Sequence, residues 1–367
     1  MTDIKAIALY LPQFHPIPEN DEWWGKGFTE WTNVAKCRPR FPGHYQPQLP
    51  ADLGFCDLRL HETRIAQAEL AAAHGIHGFC YYHYWFNGRR ILERPFNDVL
   101  ASGEPDSPFC LCWANENWTR RWDGQEHEIL LKQEYGIDDD IAHIRSLLPA
   151  FEDRRYIRLD GKPIFLVYRA SMLPNPQKTA EVWRTEVRRS GLGELHLGLV
   201  QGFASEQTDP RTLGFDFALE FAPDWQRLGP QVNPFPPRTF VDKVLRRPVP
   251  PMKDRIFSYQ ACRDNMLSKP IPEFPWYRCA TPSWDNAARR AGGATILHGA
   301  TPELYEEWLR SLVADARTYQ REFVFINAWN EWAEGNHLEP CQKYGHAFLQ
   351  ATKNALRNTH SSVAEPI

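Results

Sequence analysis

The chain has 367 residues, a net charge of −4, and 13% aromatic residues, with 14 tryptophans among them. That length suits two average domains or one large α/β barrel, and that charge excludes the bulk basic surface of a nucleic-acid binder. No apolar run is long enough to expect a transmembrane segment, and the opening MTDIKAIALYLPQFHP is interrupted too soon to read as a signal peptide.

Eight short apolar runs bounded by turn residues read as strands: 4–11, 78–86, 109–118, 163–170, 195–203, 215–223, 277–284 and 323–330. Helical patterns lie between most of them, at 57–75, 139–152, 177–190, 302–318 and 344–357. The run Asp138, Asp139, Asp140 reads as a helix N-terminus, where acids meet the positive end of the dipole. Alternating strands and helices imply a parallel sheet covered on both faces. Eight strands close a (β/α)8 TIM barrel. The alternative, an open doubly wound sheet, usually carries a glycine-rich phosphate turn after its first strand, and no GxGxxG follows here. The expectation is one barrel domain over 1–357 and a frayed tail at 358–367.

The eight cysteines contain no CxxC pair. Cys110 and Cys112 share one face of a strand and read as small buried hydrophobes. His74 and His77 read as structural. No metal and no cofactor is expected, and a reducing, cytoplasmic setting is the default. No feature of the sequence fixes an oligomeric state.

In a barrel, chemistry belongs at the C-terminal ends of the strands. Those ends combine hydrogen-bonding groups with aromatic faces. They offer His15 after the first strand, His83 and Trp85 in the second, and Asn115, Glu116, Asn117 and Trp118 at the third. Asp285 follows the seventh, and Trp329, Asn330 and Trp332 follow the eighth. Two long connections, 12–56 and 224–276, would form cleft walls rich in Pro and aromatics; the first supplies Trp24, Glu30 and Trp31. Sugars need polar partners for their hydroxyls and flat apolar surface for their C–H faces, so an oligosaccharide or polysaccharide is the expected partner. All these residues are candidate substrate-binding groups.

Glycosyl transfer commonly uses two carboxyl groups, one to protonate the leaving oxygen and one as base or nucleophile. Glu331 and Glu334 are the candidate catalytic pair. Three residues apart in a strand, they would point to opposite faces. They converge only if the strand ends at or near 330 and the chain then curls into a helical turn, which Gly335 permits.

The stretches LYLPQFHPIPENDEWWGKGFTEWTNVAKCRPRFPGHYQP, GIHGFCYYHYWFNGRRILERP, WANENWTRRWDG and NAWNEWAEGNHLEP resemble the WbsX family, a group of glycosyltransferases from polysaccharide and O-antigen gene clusters. That family is related more distantly to the endo-α-mannosidases of glycoside hydrolase family 99. The resemblance covers nearly the whole chain and implies a (β/α)8 barrel. It implies Glu334 as general acid/base and Glu331 as the base that deprotonates a sugar 2-hydroxyl, giving a 1,2-anhydro sugar with net retention. It also implies an α-mannoside or α-rhamnoside type substrate. Ala333 stands where family 99 enzymes often have His, a departure bearing on mechanism and substrate. Three readings follow: a retaining glycoside hydrolase, a glycosyltransferase of O-antigen or capsule assembly, and a glycan-binding barrel without catalysis. A sugar-nucleotide transferase usually brings a Rossmann-like turn, which this sequence lacks.

Overall fold

The computed structural model describes residues 3–120, 125–235 and 253–357. Six continuous strands, β1 (Lys5–Tyr10), β2 (Ile76–Phe86), β3 (Phe109–Trp113), β4 (Lys162–Val167), β5 (His196–Gln201) and β6 (Phe217–Glu220), pair in parallel with their neighbours in chain order. The seventh, β7, comes in two pieces, Trp276–Tyr277 and Cys279–Ala280. Its first piece pairs with β6 and its second with β8 (Phe323–Ile326), which pairs in turn with β1. The ring is therefore closed, and the fold is the (β/α)8 barrel, without the open edges of a doubly wound sheet. At the break, the Arg278 side chain reaches Glu220 (Nε–Oε2 3.2 Å) and Asp315 (Nη1–Oδ2 2.6 Å), while its carbonyl still accepts from Phe325 N–H at 2.9 Å.

Barrel strands are covered by side chains inside and helices outside, so every residue from Ala6 to Tyr10 is buried. This is why the runs read as continuously apolar. The covering helices His61–Ala73, Ile137–Glu152, Pro176–Arg189, Pro302–Thr318 and Ala347–Leu356 fall where the periodicity placed them. Asp138, Asp139 and Asp140 occupy the first turn of the second of these. One hydrophobic cluster runs from Ile4 to Ala355. All eight cysteines are buried and unpaired. Among the described residues, no helix is long and apolar enough to cross a membrane.

Most strands end before their apolar runs do, and at two of them side chains take over the pairing. β3 stops at Trp113 rather than 118, and Asn115 then bonds both backbone groups of Arg169 (Oδ1–N 2.8 Å, Nδ2–O 2.9 Å). Trp118 opens a separate antiparallel ladder, Trp118–Arg120 with Gln125–Leu131. β8 stops at Ile326 rather than 330. Asn330 then bonds both backbone groups of Leu11 (Oδ1–N 2.8 Å, Nδ2–O 3.0 Å), so a side chain extends the β1 contact.

The first long connection holds two short helices, Pro18–Trp24 and Trp31–Lys36. The second is more ordered than a loop, with a helix, Tyr259–Leu267, preceded by a strand, Arg255–Ser258, that pairs in parallel with Thr295–His298. The expected elements include neither this helix nor this strand pair. The expected tail at 358–367 lies outside the described residues, as do 236–252 of the second connection.

Candidate active site

Past β8 the chain makes a tight reversal. Asn330–Glu331 pairs antiparallel with Asn336–His337 and brackets a 3-10 turn, Trp332–Glu334. Gly335 closes it with φ 57°, and a Cβ there would stand 2.7 Å from Gln48 Nε2 and 3.0 Å from Asp285 Cβ. Both the left-handed backbone and the close approach require glycine. The curl expected for convergence of the two acids is present.

Their meeting point is a residue the sequence reading passed over. Arg289 Nη2 lies 3.0 Å from Glu331 Oε1, and Nη1 lies 2.8 Å from Glu334 Oε1. The same guanidinium grips Glu30 with two 2.6 Å bonds, from Nε to Oε1 and from Nη2 to Oε2. Gln13, which also lines the cleft, donates from Nε2 to Glu30 Oε2. Glu30, Arg289 and the acid pair come from the connections after β1, β7 and β8, which are neighbours in the ring.

The two acids differ in exposure: the side chain of Glu331 is 5% exposed and that of Glu334 is 21%. Burial pushes the Glu331 carboxyl well above the usual carboxylate range; Arg289 pulls it back, and the charges of Glu334 and Glu30 push it up again. Burial opposes the Arg289 charge, but its three carboxylate neighbours hold the guanidinium firmly protonated.

Glu331 and Glu334 open into a cleft of about 390 Å³. Tyr82, Tyr84, Phe86 and Trp118 form one side, and Tyr168, Phe203, Phe221, Trp225 and Trp284 continue around it. Trp118 packs on Tyr84 at 5.4 Å, and Trp225 meets Trp284 edge-on at 5.0 Å. Glu116, ion-paired to Arg169 at 2.6 Å, and Asn117, which accepts from Gln133 N–H at 2.7 Å, also line it. Asn286, Arg290, Thr295 and Arg255 complete the wall near Arg289.

Of the expected binding residues, Glu116, Asn117 and Trp118 line this cleft, and Glu30 reaches it through Arg289 and Gln13. The others lie elsewhere. His83 and Trp85 point to the helix layer: His83 Nε2 pairs with His143 Nε2 at 3.0 Å, and Trp85 Nε1 donates to Asp139 Oδ1 at 2.9 Å. Strand parity is the reason, since Tyr82 and Tyr84, one residue out of step, take the cleft face. Asn115 is the backbone latch described above. Asp285 sits behind the turn, accepting from His44 Nε2 (2.6 Å) and Gln46 Nε2 (2.7 Å), while its N–H donates to the Glu334 carbonyl at 2.6 Å. Trp332 stacks on His337 at 3.6 Å and donates to Glu339 Oε2 at 2.5 Å. Trp329 is buried against Phe79 at 5.2 Å, and Asn330 is committed to Leu11. Trp31 packs on Trp332 at 5.4 Å and donates to the Cys56 carbonyl, and Trp24 packs on Phe28 at 6.0 Å. His15 is buried, which lowers its imidazole to about 4.

The overlooked cleft residues had a readable signal. Tyr168 and Phe221 come directly after β4 and β6, and Phe203 two residues after β5. An aromatic just past a barrel strand points into the mouth.

A closed parallel barrel with an acid pair at its C-terminal mouth is the architecture in which barrel enzymes place their chemistry. The family follows from direct comparison. The model of the family described as Glycosyltransferase WbsX matches residues 6–352, and the chain belongs to that family. Two curated relatives, both named Uncharacterized protein WxcX, come from Xanthomonas campestris pv. campestris: strain B100 at 46% identity and strain ATCC 33913 at 45%, each over 354 residues. These matches cover 95% of this chain and 49% of each relative, so the chain spans about half the relatives' length. Among solved structures, a family 99 endo-α-mannosidase from Bacteroides thetaiotaomicron, complexed with bis-tris-propane, superposes with a TM-score of 0.59 at 12% identity, covering 97% of both chains. A glycoside hydrolase-like protein superposes with a TM-score of 0.59 at 15% identity, covering 98% of this chain and 95% of that one. At such identity these two speak for the fold.

Proposed function

We propose that the cleft breaks glycosidic bonds of a polysaccharide with retention, using Glu334 as general acid/base and Glu331 as base. The observation that carries this reading is the convergence of the two carboxylates on one guanidinium at the floor of an aromatic cleft. Glu334, the more exposed acid, donates a proton to the leaving glycosidic oxygen as the C1–O bond breaks. Glu331, whose burial makes it a stronger base when ionised, takes the proton of the 2-hydroxyl. O2 then closes on C1 to give the 1,2-anhydro sugar. Water or a second sugar hydroxyl reopens it at C1, giving its proton to Glu334, while O2 recovers the proton held by Glu331. The route needs a 2-hydroxyl trans to the leaving group, as in an α-mannoside or α-rhamnoside.

The family description favours a second reading, in which the acceptor is a sugar and the reaction is transfer in O-antigen or capsule assembly. The test incubates the protein with bacterial polysaccharides and α-mannosyl and α-rhamnosyl aryl glycosides, with and without sugar nucleotides. Release of sugar without a nucleotide, absent in Glu334→Gln, is the expected result. Product formed only when a sugar nucleotide is present would overturn hydrolysis in favour of nucleotide-dependent transfer. Binding of glycans with no turnover of any of them would leave a non-catalytic barrel.

A further inference from the structure

Arg289 stands where three carboxylates meet. Its loop is fixed independently of them: Asp285 Oδ1 accepts from Ala287 N–H at 3.0 Å, Asn286 Oδ1 accepts from Thr295 N–H at 2.8 Å, and Arg40 Nη2 donates to the Ala287 carbonyl at 2.7 Å. The guanidinium is 15% exposed and engages Glu30 through a planar fork, the geometry at which Arg excels and Lys does not. With Glu30 held on one edge, the remaining Nη hydrogens point to Glu331 and Glu334. Among the described contacts, the Arg289 charge is shared by three acids in a mostly buried setting, so each acid's ionisation weighs on the other two.

We infer that Arg289 is a positioning residue whose fixed fork holds Glu331 and Glu334 at a common separation and sets how many protons the pair retains. The inference rests on the proposed acid/base reading for its catalytic meaning, but its electrostatic part is independent of any substrate. The charged and titratable groups facing Arg289 among the described residues are Glu30 from the β1 connection, Glu331 and Glu334 from the β8 turn, and the buried Tyr84 hydroxyl from β2. Tyr84 stays neutral, because burial and the Glu331 charge both raise it. Two charges act on Glu331 in opposite directions: Arg289 favours its ionised form, and Glu30 opposes it.

These two charges give opposite tests. The Glu331 carboxyl is followed by carbon-13 NMR in glutamate-labelled protein without ligand, assigned through Glu331→Gln. Arg289→Gln is expected to move its titration midpoint up by about one to three pH units, and Glu30→Gln to move it down. Arg289→Lys, which keeps the charge and loses the fork, is expected to leave the midpoint near wild type while lowering kcat by about tenfold or more on any glycoside turned over. Should Arg289→Gln fail to fold, Glu30→Gln carries the test alone. A Glu331 midpoint that does not move in a folded Arg289→Gln or Glu30→Gln protein overturns the inference. If the midpoints move as stated and no glycoside is turned over, the inference stands and the catalytic reading falls.

Discussion

The ends of β2 and β8 look alike in sequence and do different things. YYHYWF and NAWNEWAEG both mix tryptophan with groups that can hydrogen-bond or titrate. In β2 the strand runs on to Phe86, so neighbouring side chains alternate faces, and His83 and Trp85 fall on the helix side. In β8 the strand stops at Ile326, and a turn closed by Gly335 brings Glu331 and Glu334 to one guanidinium. Residue type alone does not separate a supporting end from a working one. The backbone does: an intact strand sorts side chains by parity, and a broken one can gather them.

The largest effect that would break this comparison comes from the β8 turn. Glu334→Gln should lower kcat by about 10³-fold while the melting temperature stays near wild type, read from kinetics and thermal melts on the same preparation. Next in size is the aromatic wall. Trp118→Ala should raise KM by about tenfold with a smaller change in kcat, because it removes stacking surface from the cleft and leaves the acids in place. If KM does not move, the β2–β3 side of the cleft does not hold sugar.

The β2 end should behave in the reverse way. His83→Leu leaves His143 without its partner and should cost about 1–3 kcal/mol of stability, with KM and the pH–rate profile unchanged. A changed pH–rate profile would return His83 to the active site. A fourth test is the pH dependence of stability. Burial lowers His83 to about 3 and His15, His77 and His337 to about 4. Each is depressed below its unfolded value of about 6.5, so the folded state binds fewer protons than the unfolded one. Their contribution is present above pH 6.5 and is lost as pH falls toward 4 and then 3. Thermal melts across that range should show the decline, less steeply in His83→Leu.

The barrel was legible because its strands are apolar on both faces and its helices periodic, and both patterns survive in sequence. The turn was legible because acids three residues apart after a strand can converge only if the chain curls there, and Gly335 permits it. The walls were misread where the pattern had no parity marker: YYHYWF alternates Tyr with His and Trp, and nothing in composition says which set faces the cleft. Arg289 was missed for another reason. It lies four residues beyond Asp285 in SWDNAARR, and Asp285 is the residue there that reads as a binding group. Only folding reveals that Asp285 turns back toward His44 while Arg289 comes forward to three carboxylates.

The β8 turn is the proposed site of glycosidic chemistry. The most direct measurement compares Glu334→Gln and His83→Leu with wild type on an aryl α-mannoside or α-rhamnoside that the wild type turns over, without sugar nucleotide, following release of the aryl group. The account predicts that turnover is lost in Glu334→Gln and kept in His83→Leu, even though the latter is the less stable protein. Turnover that survives in Glu334→Gln would contradict it.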